Sequence, residues 1–320
     1  MTNRLVRLLT YSSCTLLLAG MASAADPESL GLIPSDTVVV VGINIEQIRS
    51  SKLGQMAFSQ IETQAKGADA AMANAGLDLL KGIREVLIAA PATAQKGRVL
   101  ILVTGTFNPA ALQALAKLVG MTEATVQGVT VFTKEQQEPF SAAVVDSSLI
   151  LGGDPASLKA ALARRGGQPG GLDAAVAAKL LAVRASHHLW LLTTASMADL
   201  ARNAPPEAFG GALQNDALKS ILQVSGGLTF GPKLLIAFEV VTRTEQDATS
   251  MADGLRALIG MATMGDNAKQ FAPLLQTLDL KAEGTSMKLG LAIAEEDILK
   301  LIPPGMQGQQ PAPAPKPQQQ

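Results

Sequence analysis

The chain has 320 residues, a formal net charge of −1, 48% hydrophobic residues and only 3% aromatic ones. Near-neutral charge gives no electrostatic reason to expect nucleic acid or acidic lipid as a partner. Scarce aromatics argue against sugar-binding grooves and base-stacking platforms.

The first residues set the compartment. Arg4 and Arg7 precede an apolar stretch containing Leu16, Leu17 and Leu18, and Ala22-Ser23-Ala24 follows. This is the pattern of a cleavable signal peptide, residues 1–24, cut after Ala24. A lipoprotein start fits badly, because Cys14 lies before the leucine run. The expected location is periplasmic or secreted. The mature chain would have 296 residues, 320 less the 24 removed, with no cysteine and no tyrosine. Thiol chemistry and disulfides are then excluded, and stability must come from core burial. A length near 300 residues suggests roughly two domains. No later apolar run is long enough to span a bilayer, so no integral span is expected after cleavage.

In chain order, the mature sequence opens with a strand, Thr37–Asn44, a short helix, Ile45–Ser51, and an alanine-rich helical region from Leu53 to Lys81. Strands follow at Glu85–Ala90 and Arg98–Phe107. Asn108-Pro109 starts a helix, with Asn capping the free N–H groups and Pro pre-set for the first turn; Leu112, Leu115, Leu118 and Val119 mark its buried stripe. Further strands are read at Thr125–Thr133, Phe140–Val145 and Leu149–Leu151. Asp154-Pro155 opens a helix carrying Leu158 and Leu162.

A glycine–proline cluster, Arg165 to Gly171, breaks the chain near its middle. The second half reads as a strand, His188–Thr194, helices Met197–Arg202 and Pro206–Leu218, and strands Ile221–Phe230 and Lys233–Val241 joined at Gly231-Pro232. Thr244 to Asp247 is a capping box opening a helix with the stripe Met251, Leu255, Leu258 and Ile259. A helix at Ala268–Gln276, strands Leu278–Ala282 and Met287–Ala294, and a helix Glu295–Ile302 complete it. The residues after Ile302 are rich in Pro and Gln and cannot build a core.

The element order of the two halves agrees. The expected fold is therefore α+β: two tandem similar units, each an antiparallel sheet with helices packed on one face. Short connections between adjacent strands leave no room for the crossover helices of a parallel sheet. The predicted division is 1–24 signal peptide, 25–165 first α+β domain, 166–185 Gly/Pro-rich linker and lead-in, 186–302 second α+β domain and 303–320 disordered tail.

Gly42, in "VVVVGIN", stands alone at its strand-to-helix turn. Neither the G-x-G-x-x-G of a dinucleotide site nor a phosphate loop occurs in the chain, so the stretch reads as a buried strand with Asn44 capping the next helix. "LIPSDTVVVVGINIEQIRSSKLGQ", Leu32 to Gln55, resembles the start of exported bacterial proteins of unknown function with a duplicated α+β build. The shared features are a Pro-x-Asp turn, a valine-rich strand and a short helix ending in S-x-L-G, and they lie mainly within residues 30–55. The resemblance implies an exported protein of that build and supplies no active site.

Candidate chemistry is thin. His187 and His188 are the only histidines. As neighbours entering a strand they point to opposite faces, unsuited to sharing a metal ion. No G-x-S-x-G elbow or S-x-x-K motif presents a nucleophile, and the Ser-x-Lys pairs Ser50–Lys52, Ser157–Lys159 and Ser286–Lys288 occur about as often as chance gives. Gly152-Gly153 before Asp154 is phosphate-like, but the Asp154 carboxylate occupies the helix start. Glu295, Glu296 and Asp297 suit the first turn of a helix, facing solvent. "SGGLTFGPK", Ser225 to Lys233, is hairpin chemistry. Met251, Met261 and Met264 lie at helical spacing and read as core. No catalytic, cofactor-binding or metal-ligating residue is assigned, and no cofactor is expected. The expected function is an exported non-catalytic binding or scaffold protein whose partner is an unknown protein or an apolar ligand. The alternatives are a carrier of an apolar or lipid-like ligand and a hydrolase with an unrecognised site.

Overall fold

The computed structural model describes residues 27–65, 79–91, 98–135, 139–167, 170–199, 216–262 and 277–301. The predicted signal peptide, the tail and the helix at Ala268–Gln276 lie outside these residues, and the helices at Met197–Arg202 and Pro206–Leu218 lie largely outside them.

The strands are β1 Thr37–Asn44, β2 Ile83–Pro91, β3 Leu100–Gly105, β4 Thr122–Val126, β5 Val129–Lys134, β6 Phe140–Val144, β7 Leu149–Gly153, β8 Leu189–Thr193, β9 Ile221–Thr229, β10 Lys233–Thr242, β11 Asp279–Glu283 and β12 Ser286–Ala294. The helices are α1 Pro27–Leu30, α2 Ile45–Arg49, α3 Lys52–Ala65, α4 Pro109–Leu118, α5 Pro155–Arg165, α6 Ala174–Ser186, α7 Asp216–Lys219, α8 Glu245–Ala262 and α9 Glu295–Leu301. None among the described residues is long and apolar enough to cross a membrane.

All pairings are antiparallel, in one sheet of order β11-β12-β10-β9-β8-β1-β2-β3-β7-β6-β5-β4. The sheet is continuous across the mid-chain break because β1 pairs with β8, Val40 opposite Leu192 and Gly42 opposite Trp190.

Local chemistry explains the element starts. Asn44, Asn108 and Asp154 each accept hydrogen bonds from the first-turn N–H groups of α2, α4 and α5. Thr244 Oγ1 accepts from Asp247 N at 3.1 Å, closing the cap of α8. Two expectations change. The strand expected at Thr125–Thr133 is a hairpin, β4 and β5, because Gln127 (φ 52°) and Gly128 (φ 78°) form a two-residue turn with both φ positive. The stretch read as linker contains the thirteen-residue helix α6, started by Asp173, whose carboxylate accepts from Ala175 N at 2.8 Å.

Helices pack on both faces of this single twelve-stranded sheet. On the first face Val40, Leu87, Leu102, Leu151, Trp190 and Leu192 pack with Leu158, Ala161 and Leu162 of α5 and Leu180 and Val183 of α6. Cross-strand partners share a face, so this face continues through Ser225, Glu239 and Lys288. Val240, Met287 and Ala282 lie on the opposite face, and there Met251, Ala252 and Leu255 of α8 pack against them. Strands buried on both faces carry apolar residues at consecutive positions, as the four valines of β1 do. A buried ion pair fixes α6 to the sheet: Arg184 Nε donates to Glu85 Oε1 at 2.8 Å, and Nη2 donates to the second carboxylate oxygen.

Candidate functional site

The histidines are held apart by the strand they enter. His187 ends α6, with its Nδ1 3.4 Å from Thr229 Oγ1. His188 Nδ1 accepts a hydrogen bond from Phe230 N at 3.1 Å, and its ring stacks on Phe230. Burial pushes both imidazoles below their ordinary pKa, and the charge of His187 adds to this at His188. Among the described residues, no group of three or more His, Cys, Asp or Glu side chains is placed to hold a metal ion.

Asp154 is a helix cap, with an additional bond from Val99 N to its other oxygen at 3.0 Å. Burial raises its pKa, but the hydrogen bonds from Ser157, Val99 and Ala156 outweigh that and hold the carboxylate below its ordinary range. The glycines before it therefore serve strand pairing and leave no free anion site. Glu295 departs from expectation. It is buried, and its Oε1 accepts from Leu53 N at 3.0 Å, tying α9 to the start of α3. Glu296 is exposed, as expected. Met251 is packed in the α8 core, Met261 is 64% exposed, and Met264 lies outside the described residues.

Two concavities among the described residues bear on function. One lies along α6 and strands β9, β10 and β12, with a volume of about 420 Å³, and includes Lys179, Ser186, His187, Ser225, Glu239 and Lys288. Its charges are internally matched. Lys179 Nζ reaches Gln223 Oε1 at 2.5 Å and Glu239 Oε2 at 3.4 Å, and Lys288 pairs with Glu283 at 2.6 Å.

The other is an apolar cleft of about 460 Å³ between α4 and the end of β3. Its lining is Leu79, Phe107, Ala111, Leu112 and Leu115, with Thr106 and Asn108 as the polar contribution. Asn108 fixes one wall by accepting from Ala110 N and Ala111 N at 3.1 and 3.2 Å. The chain leaving β3 is held by bonds from Thr106 N to Gly82 O, 2.9 Å, and from Phe107 N to Ser147 O, 2.8 Å. Phe107 is thus a fixed, buried floor. No residue of α4 is fully buried, and Leu118 is 61% exposed. A leucine stripe that reads as core in the sequence therefore lines a space that the described residues leave open. The volume lies within the range of small-molecule pockets, and no charged side chain contributes to the lining. The sequence signals Asn108, Leu112 and Leu115, while Phe107 and Leu79 come together with them only through the fold.

No known protein family and no curated protein matches the chain. Two solved structures of TP0453, a bacterial protein, share the fold. Crystal form III matches with a TM-score of 0.52 and 9% identity, covering 85% of this chain and 96% of that one. Crystal form I matches with a TM-score of 0.51 and 10% identity, covering 87% and 97%. At this identity the likeness concerns architecture alone, a mixed helix–strand chain around a large antiparallel sheet, in keeping with the resemblance of the Leu32–Gln55 stretch.

Proposed function

We propose that the protein is an exported, non-catalytic binding protein of duplicated α+β build, and that its ligand is an apolar group seated between α4 and Phe107. Export is supported by Arg4, Arg7, the leucine run and Ala22-Ser23-Ala24, a pattern read by the secretion machinery. Duplication is supported by topology. Outward from the β1–β8 contact the strands run β1-β2-β3-β7-β6 one way and β8-β9-β10-β12-β11 the other. In each half a helix follows the third strand of that order, α4 after β3 and α8 after β10, and another ends the unit, α5 and α9.

The observation that carries the ligand class is the half-buried leucine stripe of α4 over the apolar cleft. Filling such a space removes apolar surface from water, worth about 25 cal/mol per Å². A fluorescent fatty acid titrated into the purified chain tests this. One saturable site is expected, displaced by unlabelled fatty acid and lost in Ala111→Phe, which fills the cleft from α4. Absence of saturable binding, or binding unchanged in that variant, overturns the ligand assignment. A second reading, docking of a protein partner, is favoured by Phe140 of β6, 42% exposed, and by the exposed Leu118 of α4, the helix that contacts β6. The hydrolase alternative draws no support from the contacts of His187 and His188, whose rings engage a backbone N–H and a threonine hydroxyl.

A further inference from the structure

The two ends of the sheet are built differently. β11 is guarded. Asp279, Lys281 and Glu283 alternate along it, Lys281 pairs with Asp279 at 2.7 Å, and α8 packs over Leu280 and Ala282. Charge and cover of this kind prevent an edge from recruiting another strand. β4, at the other end, has the sequence TEATV, with four of its five residues exposed. Its single charge, Glu123, is already matched by Lys117 at 2.8 Å. The β4–β5 hairpin also carries this arm of the sheet two strands beyond the five found on the other side of the β1–β8 contact. The hairpin thus replaces β6 with β4 as the terminal strand.

The turn geometry determines which backbone groups β4 presents. Gln127 and Gly128 make a two-residue hairpin loop closed by Val126 opposite Val129. In such a hairpin the closing pair exchanges both hydrogen bonds, and the pattern alternates from there. Val126, Ala124 and Thr122 therefore bond to β5. Glu123 and Thr125 direct their N–H and C=O groups outward.

We infer that this edge pairs with the β4 strand of a second copy of the chain, antiparallel about a two-fold axis at Ala124. That register places Glu123 opposite the second copy's Thr125 and gives four N–H···O bonds between the strands. Centring on Glu123 instead would oppose two carboxylates, which is unfavourable. Centring on Thr125 would bring Glu123 against Gln127, whose positive φ takes it out of the strand. Only the Ala124 register uses both outward residues, opposes no like charges and stays within extended backbone. The interface is isologous, as two-fold dimers require. It joins two sheets of twelve strands edge to edge.

Sedimentation equilibrium on the full chain carrying Cys14→Ser tests this. A concentration-dependent dimer, insensitive to salt, is expected. Thr125→Pro removes an outward N–H without touching the β4–β5 ladder and weakens association roughly tenfold or more, since two of the four bonds are lost. Ala124→Cys in the same background gives a covalent dimer on oxidation, because facing Cα atoms in a non-hydrogen-bonded pair lie about 4.5 Å apart, within disulfide reach. Lys281→Cys on the guarded edge gives no covalent dimer on oxidation. A chain that is monomeric at every concentration overturns the inference, as does a dimer that Thr125→Pro leaves intact. Where Thr125→Pro disturbs folding by circular dichroism, failure of Ala124→Cys to cross-link faster than Lys281→Cys overturns it instead.

Discussion

The ring of Trp190 occupies the space that a side chain on Gly42 would take. A Cβ at Gly42 would lie 2.1 Å from Cε2 and 2.4 Å from Nε1 of Trp190. The two residues face each other across the β1–β8 contact, and Trp190 is fully buried. The lone glycine of the valine strand therefore makes room for the tryptophan that packs the middle of the sheet. Gly42→Ala is expected to cost about 3 kcal/mol or more, since the indole is enclosed and cannot move aside. The double variant with Trp190→Leu should recover part of that loss. Urea midpoints measure both; in the single variant, emission from Trp190, the one tryptophan in the chain, reports whether the core loosens.

Arg184 and Glu85 form a two-bonded pair with side chains only 10% and 7% exposed, and Arg184 Nη1 is buried without a partner. Removing one member strands the other. Arg184→Leu should cost about 3–5 kcal/mol, and Arg184→Leu with Glu85→Leu should be much closer to the parent, because no charge is then left buried. Chemical denaturation of the parent and the two variants gives the comparison.

Asp154 caps α5 and also holds Val99, so Asp154→Ala should cost about 2 kcal/mol, the upper end for a cap. Asp146 is similar. Burial raises its pKa, but bonds from the Ser148 hydroxyl and N–H and from Leu149 N, together with Arg165, bring it below the ordinary carboxylate range. Both folded-state values lie below the unfolded ones. Their stabilisation is therefore complete above the unfolded carboxylate pKa, about 4, and is lost as pH falls through the folded values. Thermal midpoints between pH 5 and pH 2 should fall less steeply in the variant Asp146→Asn with Asp154→Asn.

The histidines act in a higher window. Their folded pKa values are depressed by burial, so the unfolded chain takes up protons first as pH drops through about 6.5. Stability then declines from that point down to the folded values. Protonation of His188 also removes the acceptor for Phe230 N. Both imidazoles should titrate below 6.5 by NMR, and His187→Gln with His188→Gln should flatten the stability profile between pH 7 and pH 5. Titration at or above 6.5 would refute this.

Caps, turns and strand positions were readable because each rests on residues a few positions apart. Asn44, Asn108, Asp154 and the Thr244–Asp247 box act within one helical turn. The alternation of Leu289, Leu291 and Ile293 gave the register face of β12, which opposes Phe238, Ile236 and Leu234. α6 was obscured by the glycines before it, and the β4–β5 turn by two strands of similar composition. Glu295 was misread because a carboxylate in a first helical turn suits solvent equally well. Only the approach of Leu53, 242 positions away, buries it.

By itself the sequence determined an antiparallel α+β chain, its helix starts and the absence of a phosphate-binding glycine loop, since short-range hydrogen bonding and side-chain period govern these. The tertiary structure decided that β1 and β8 join the halves, that helices cover both faces, that Trp190 lies over Gly42, and that the α4 stripe meets Phe107 across a cleft the described residues leave open. Those outcomes depend on contacts between segments far apart in the chain, whose energies come from shape and burial that no local pattern encodes.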